Sequence, residues 1–539
     1  MTRHRFLAGY LFALAFAVFQ IVWFWHATIE DAFISFRYAR HWADHLGLVF
    51  NRGEWVEGYS NFLWTLLLGL ALRLGGDPIA TSKVLGLTAT LSFDVILVLS
   101  ARRLAGNTAG LAAALIAGCS TSLAFWSVAG LETSLAAALV ALTLFLYPVM
   151  RQYEKPASTL HERIISGLYA LPLAAATLTR AEMLGLAIVL VGLDLLRRKT
   201  RVVAWAILLY TAVIMPYWMW RWLAYGALLP NSLYAKAGLF ESLRDAPAAF
   251  VMASVIYLGN WMLKWGVVWW LPLAWAARRR KVFLPLAVVI GYLTLVLLAG
   301  GGDWMPLQRL WLPALAPWVW LAVLGWNELR RQRRRLGLVL IALLVVAQFD
   351  VVALSGVTRD TRHLDRWWVN TMGTLAGFGL DNPVPLATTV LGRTGYYFEG
   401  RVLDAFGLAD RYIARHGAPV VRMGRLDWAY VLAQQPAFIL TNDQQTGLRQ
   451  RVAKQPLYRW LPLSTPPDFP VMLLAADDYA DAAAQAFKVS ARPADDPAID
   501  RIFEQRTRER QKHALGPLYT LICAEPTNVC NALWLVLKP

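Results

Sequence analysis

Residues 61–75 read NFLWTLLLGLALRLG, and whether this run crosses a bilayer decides the topology of the whole chain. It is apolar enough to enter a membrane. Between its polar and charged ends it holds only about 14 residues, whereas a span needs about 20. A half-buried or interfacial helix is therefore expected here, not a span.

Eleven longer apolar runs surround it, at 6–26, 81–101, 108–127, 132–150, 164–179, 181–196, 202–223, 251–276, 282–299, 309–327 and 336–354. Basic clusters punctuate them: Arg3/Arg5, Arg102-Arg103, Arg151/Lys155/Arg163, RRKTR (197–201), RRRK (278–281) and RRQRRR (330–335). If 61–75 stays on one side, every cluster falls on the same face, as cytoplasmic loops do. If it crosses, the later clusters land outside while the N-terminus stays in. Eleven spans with one non-crossing helix is the reading that keeps the charges together.

Composition agrees. The chain has 539 residues, 58% hydrophobic and 16% charged, against roughly 25% charged in soluble chains. Its mean hydropathy is +0.45. The first run, Phe6 to Trp25, lacks a small-residue cleavage pattern and reads as a retained helix. The net charge of +17 sits in short loops, not in a soluble basic patch, so a nucleic-acid partner is not expected. The 25 tryptophans read mostly as interfacial belts. No short repeat period marks a solenoid.

After residue 355 the apolar runs shorten to strand length, as in VPLATTVLG, AFILTN and FPVMLLAA, with Gly, Pro and Asp between them. The expected fold class is an all-α polytopic membrane protein, residues 1–354, with a C-terminal soluble α/β domain, residues 355–539, on the outer side. Cys523 and Cys530 in CAEPTNVC fit either a disulfide, which an oxidising outer compartment favours, or two thiols.

On this topology the sparsely charged junctions share the outer face, the first being the loop 27–80. An ionisable group costs roughly 3 kcal/mol in a membrane helix, so polar residues gathered there invite explanation. Glu30-Asp31 end the first span. A carboxylate at that place can take a proton from an attacking hydroxyl, or Asp31 can cap the following helix. Arg37 and Arg40 follow on that helix, able to meet the acid, a lipid phosphate or anionic headgroups. His41 and His45 are spaced for a metal, yet no third ligand is near, and an ordinary polar face is the simpler reading. NRGEWVEGYSNF (51–62) adds Glu57, Tyr59 and Asn61. YGALLPNSLYAKAG (225–238) adds Asn231, Tyr234 and Lys236. AGGGDWMPLQRLWLP (299–313) adds Asp303, Trp304 and Arg309 beside a helix start, but lacks nucleotide P-loop spacing. GLETS and LTRAEML add Glu132, Arg180 and Glu182.

The stretch EDAFISFRYARHWADHLGLVFNRGEWVEGYSNFLWTLLL (30–68) resembles the first-loop signature of the GT-C superfamily of membrane glycosyltransferases. GLETSL, TRAEML, YGALLPNSLYAKAG and GGDWMPLQRLWLPALA strengthen the likeness, as do the tail phrases GRTGYYFEGRVLDAFGLAD and AYVLAQQPAFIL. Together they resemble the branch of the mycobacterial terminal arabinofuranosyltransferase and its proteobacterial relatives.

The resemblance implies an inverting glycosyltransferase in a bacterial inner membrane, with its site and C-terminal domain periplasmic. The donor would be a polyprenyl-phosphate-linked sugar, with arabinofuranose or another pentose foremost. The acceptor would be a surface glycan, lipopolysaccharide or a pilin-like protein. The catalytic carboxylate falls on Glu30 or Asp31, with Asp31 favoured. Arg37, Lys236 and Arg309 are the donor-phosphate candidates. Glu57, Tyr59, Asn61, Glu132, Arg180, Glu182, Asn231, Tyr234, Asp303 and Trp304 are the substrate-binding candidates. No nucleotide is needed, and a divalent metal stays open because some GT-C relatives use one. The competing class is a lipid transporter or flippase, for which internal repeats and midplane charges are expected; neither is visible.

Overall fold

The computed structural model describes residues 3–150, 167–196, 200–236, 247–261, 267–299, 303, 305–350, 360–378, 385–420, 424–442, 448, 451–452, 457–464, 471–493 and 496. Trp304, Cys523 and Cys530 lie outside them.

The run 61–75 forms the helix Phe62–Arg73. Its 12 residues rise about 18 Å, short of a hydrocarbon core of about 30 Å. It packs against the helix Ala32–Ala43. The Arg73 guanidinium lies 3.7 Å from the Trp42 ring centroid, and Gly69 lets Trp42 approach where a Cβ would sit 2.6 Å from the ring.

Five described helices are long and apolar enough to cross a membrane: Arg3–Trp23, Pro78–Ala105, Val203–Tyr225, Arg280–Ala299 and the run Pro306–Gln332. Shorter apolar helices include Asn107–Gly118, Thr133–Tyr147, Ala170–Thr179 and Met183–Leu196. The run 108–127 is broken after Gly118, and the Ser120 hydroxyl caps a second helix, Thr121–Trp126. Within 251–276 three helical pieces are described: Pro247–Trp261, Val267–Trp270 and Leu273–Ala276.

The helix Leu312–Gln332 is buried on nearly every side, as a helix apolar all round should be. It packs against Pro78–Ala105, Thr133–Met150 and Arg280–Ala299. It also packs against Leu273–Ala276, where Gly325 permits the approach, since a Cβ there would fall 1.9 Å from the carbonyl oxygen of Pro272 just before that helix.

The tail carries a six-stranded sheet in the order β2-β1-β5-β7-β6-β8. Its strands are β1 (Leu386–Thr388), β2 (Val402–Asp404), β5 (Phe438–Asn442), β6 (Tyr458–Leu461), β7 (Val471–Ala476) and β8 (Arg492–Pro493). β2, β1 and β5 run parallel, while β7 pairs antiparallel with β5 and β6. β3 (Ala418–Val420) and β4 (Gly424–Leu426) form a separate hairpin. The strand-length runs read from the sequence thus become β1, β5 and β7. Helices Arg362–Ala376 and Asp477–Phe487 pack on each other and share a buried apolar cluster with the sheet.

That cluster also includes Ile34, Tyr38, Leu48, Phe50 and Tyr59 from the first loop. Loop and tail therefore share one core. The helix Ala32–Ala43 is in consequence buried from Ala32 to Ala39, not a basic surface helix facing headgroups.

Candidate active site

The first span ends at Trp23, and the chain turns through Ala27 and Thr28 before the next helix. Lys83 fixes that turn. Its ammonium donates to the Ala27 carbonyl at 2.7 Å and to the Val128 carbonyl at 2.8 Å. One buried cation thus ties the turn before Glu30-Asp31 to the turn before Glu132, and its charge is offset by carbonyl dipoles.

The two adjacent acids have opposite fates. Glu30 is buried. It accepts from the Arg393 backbone N–H at 2.8 Å and from Arg393 Nη1 at 3.1 Å. Arg393 also donates to Asp365 at 2.8 Å and to the Thr28 carbonyl at 2.9 Å. Gly392 lets this approach happen, because a Cβ there would sit 2.0 Å from the Glu30 carbonyl oxygen. Burial raises the Glu30 carboxyl and Arg393 pulls it back.

Asp31 is half-buried and makes no side-chain hydrogen bond to the start of the helix it precedes. The capping role that sequence allowed is not taken. Its carboxylate instead lines a polar cavity of about 90 Å³, with Ser35, Tyr59, Asn61, Glu132, Arg180, Glu182, Ser232, Lys236, Arg309 and Leu408 among the other walls. Burial raises the Asp31 carboxyl above the usual 3.8. Lys236 and Arg309 lower it again, and Asp303 and Glu132 raise it.

The walls are largely pre-organised. Asn61 donates to Glu132 at 2.8 Å and accepts from Ser35 at 3.1 Å and Thr65 at 3.0 Å. Arg180 pairs with Glu182 at 2.7 Å and lies 3.9 Å from Glu132. Arg309 pairs with Asp303 at 3.0 Å, and Asp303 also accepts from the Met305 N–H at 3.2 Å. Tyr59 is tied to Tyr225 at 3.1 Å. Lys236 has no ion-pair partner among the described residues. Arg180 Nη1 and Ser232 Oγ are buried without hydrogen-bond partners among the described residues. Buried donors left open at a cavity wall are positioned for an anion or a sugar hydroxyl.

Eight of the sequence candidates thus share one cavity: Asp31, Tyr59, Asn61, Glu132, Arg180, Glu182, Lys236 and Arg309, with Asp303 behind Arg309. Four others do not. Arg37 was expected to meet a lipid phosphate, but it is 1% exposed and its five N–H donors are all engaged. They go to the carbonyls of Phe50 (2.6 Å), Gly395, Phe398 (2.7 Å) and Gly400 (3.0 Å) and to Asn51 Oδ1 (3.5 Å). It is a buried tie between first loop and tail, and burial pushes it down to about 9.

Glu57 is buried against Arg221 at 2.8 Å and accepts from Tyr217 at 3.0 Å, and burial pushes its carboxyl up to about 7. Asn231 spends its amide on the carbonyls of Gly407, Leu408 and Asp410 at 2.9, 3.0 and 3.1 Å. It thereby presses Leu408 against the cavity. Tyr234 faces the Arg415 guanidinium, 5.3 Å from its ring centroid.

Sequence reading missed Arg393 and Arg221. The first stood in the quoted tail phrase GRTGYYFEG without a role. The second was visible as a lone arginine inside an apolar, aromatic run, a costly placement that implies a buried partner. Among the described residues no three His, Cys, Asp or Glu side chains group closely enough to hold a metal, and His41 is buried with Nδ1 against the Val49 carbonyl at 2.9 Å.

Residues 362–493 match a family model described as a domain of unknown function, DUF8728. No curated protein matches the chain. Among solved structures it is similar to the Archaeoglobus fulgidus oligosaccharyltransferase in complex with zinc and sulfate. There the TM-score is 0.54 at 10% identity, covering 86% of this chain and 72% of that one. It is also similar to ArnT from Cupriavidus metallidurans bound to undecaprenyl phosphate, with a TM-score of 0.53 at 12% identity, covering 88% and 98%. The archaeal enzyme AglB, solved with an inhibitory peptide and a dolichol-phosphate, gives 0.52 at 8%, covering 87% and 74%. At these identities the likeness shows the fold: the chain has the GT-C fold that its first-loop motif implies.

Proposed function

We propose that this chain is an inverting glycosyltransferase that moves a sugar from a polyprenyl-phosphate donor to a hydroxyl on the outer face of a bacterial inner membrane. The observation that carries the reading is Asp31: without an ion-pair partner among the described residues, half-buried and facing Lys236, Arg180 and Arg309 across a polar cavity. ArnT and AglB, solved with undecaprenyl phosphate and dolichol-phosphate, lend support through the shared fold. Residues 1–354 form the membrane domain with eleven spans, and residues 355–539 a periplasmic α/β domain. The sugar is a pentose, arabinofuranose first. The acceptor is a surface glycan, lipopolysaccharide or a pilin-like protein.

The acceptor hydroxyl attacks the anomeric carbon, and its proton passes to the Asp31 carboxylate. The bond from that carbon to the phosphate oxygen breaks, and the polyprenyl phosphate leaves with the electron pair. Lys236, the open N–H of Arg180 and Arg309 lie where they offset the charge growing on the phosphate. Asn61, Glu132, Tyr59 and Ser35 hold sugar hydroxyls. Glu30 is a positioning residue: clasped by Arg393, it fixes the backbone from which Asp31 projects. A transporter reading is weaker, because the titratable groups of the polar cavity gather at helix ends beside the first loop and not at mid-span.

The test is transfer from radiolabelled polyprenyl-phosphoryl-arabinofuranose in membranes containing the wild-type chain or Asp31→Asn, with envelope glycans of a deletion strain profiled by mass. Release of polyprenyl phosphate and a glycan shifted by one pentose are expected from wild type only. Equal turnover by Asp31→Asn would overturn the base assignment, and an unchanged glycan profile in the deletion strain would overturn the transferase reading.

A further inference from the structure

A second cavity lies far from Asp31. It occupies about 190 Å³ between Pro78–Ala105, Thr133–Met150, Met183–Leu196 and Arg280–Ala299, with Ser100, Arg103, Phe145, Tyr147, Lys281 and Pro285 on its walls and Trp320 of Leu312–Gln332 at its inner end. Every wall residue from the first three helices comes from its C-terminal half, and Lys281 and Pro285 begin the fourth. The positive-inside pattern puts those ends at the cytoplasmic face, so the cavity opens into the inner leaflet.

Its walls are mostly carbon, and their polar groups are already spent. Ser100 Oγ donates to the Ile96 carbonyl at 2.8 Å. The Tyr147 hydroxyl donates to Asp194 at 2.6 Å, which Tyr169 also holds at 3.0 Å. A void of this size could hold several waters, yet it offers them few hydrogen bonds, and apolar cavities stay dry. Left empty, its lining forfeits dispersion contacts.

Its rim is cationic. Arg103 is exposed, with its guanidinium 4.5 Å from the Phe145 ring centroid, and Lys281 is exposed. Neither has an acidic partner among the described residues, whereas neighbouring Arg279 is neutralised by Glu328 at 2.8 Å. Pro285 cannot donate to the Lys281 carbonyl one turn earlier, which loosens the helix start beside the opening.

We propose that this cavity binds one anionic phospholipid of the inner leaflet, an acyl chain filling the apolar part and the headgroup phosphate resting between Arg103 and Lys281. The site is independent of the transfer chemistry and rests only on the topology.

The purified full-length chain, briefly delipidated, is titrated with phosphatidylglycerol or with phosphatidylethanolamine of the same acyl chains and weighed by native mass spectrometry. One tightly held phosphatidylglycerol per chain is expected, with at least tenfold preference over phosphatidylethanolamine. The exposed double variant Arg103→Gln/Lys281→Gln should lose that preference. Arg331→Gln/Arg333→Gln, equally basic but away from the cavity, should keep it, and so should Asp31→Asn. Ser100→Phe, which puts carbon into the cavity, should lower occupancy of both lipids. Equal retention of the two lipids by wild type overturns the proposal. So does undiminished binding in both the charge and the filling variants, or displacement of phosphatidylglycerol by equimolar undecaprenyl phosphate.

Discussion

Exchanging each of the adjacent acids for its amide separates catalysis from support. Asp31→Asn removes a base but little structure: the side chain makes no cap hydrogen bond and no ion pair among the described residues, so stability should change by less than about 1 kcal/mol. General-base catalysis is worth about 10²- to 10⁴-fold, or about 3–5 kcal/mol of barrier. Transfer should fall by that factor with the protein still folded. Glu30→Gln does the reverse. The amide keeps the shape and one acceptor for Arg393, and Arg393 keeps Asp365 at 2.8 Å. Yet of the two bonds at 2.8 and 3.1 Å only one finds the amide oxygen, and the other is replaced by two N–H donors facing each other, a loss of about 1–3 kcal/mol. Its melting temperature should drop, while transfer per folded molecule stays within about tenfold of wild type. The assay pairs thermal unfolding of purified protein with transfer from the radiolabelled donor at matched membrane levels. A Glu30→Gln chain that melts normally but is inactive, beside an active Asp31→Asn chain, would refute the assignment.

Arg393→Met should cost about 3–5 kcal/mol, because it strands the buried Glu30 carboxylate. Adding Glu30→Met should recover part of that loss in a double-mutant thermal cycle. The rate should fall as pH drops through the raised Asp31 value, so the acid limb of the pH–rate profile lies above the ordinary 3.8. Lys236→Gln removes a charge that lowers that value, so the limb should move to higher pH while KM for the donor rises. Asn231→Ala releases three carbonyls at a cost of about 1–3 kcal/mol. The loop 404–410 should then become cleavable in limited proteolysis, with transfer weakened through Leu408.

Local pattern carried much of this protein. The shortness of the run 61–75 makes a non-crossing helix the expectation from sequence, because a helix rises about 1.5 Å per residue. One-sided basic loops follow from the cost of moving cations across a bilayer. That cost also gathers acids and arginines at helix ends, so eight cavity residues were legible before any folding was known.

What pattern could not supply was the partner of each charge. Glu30 and Asp31 are neighbours with the same chemistry, and only a guanidinium 363 positions away makes one a clasped support and leaves the other open. Arg37 reads as a phosphate ligand by charge and side, until the tail brings backbone carbonyls to its N–H groups. Burial and pairing are set by contacts between distant segments. Tertiary structure alone therefore decides which of two equivalent side chains is clasped and which is left facing the cavity.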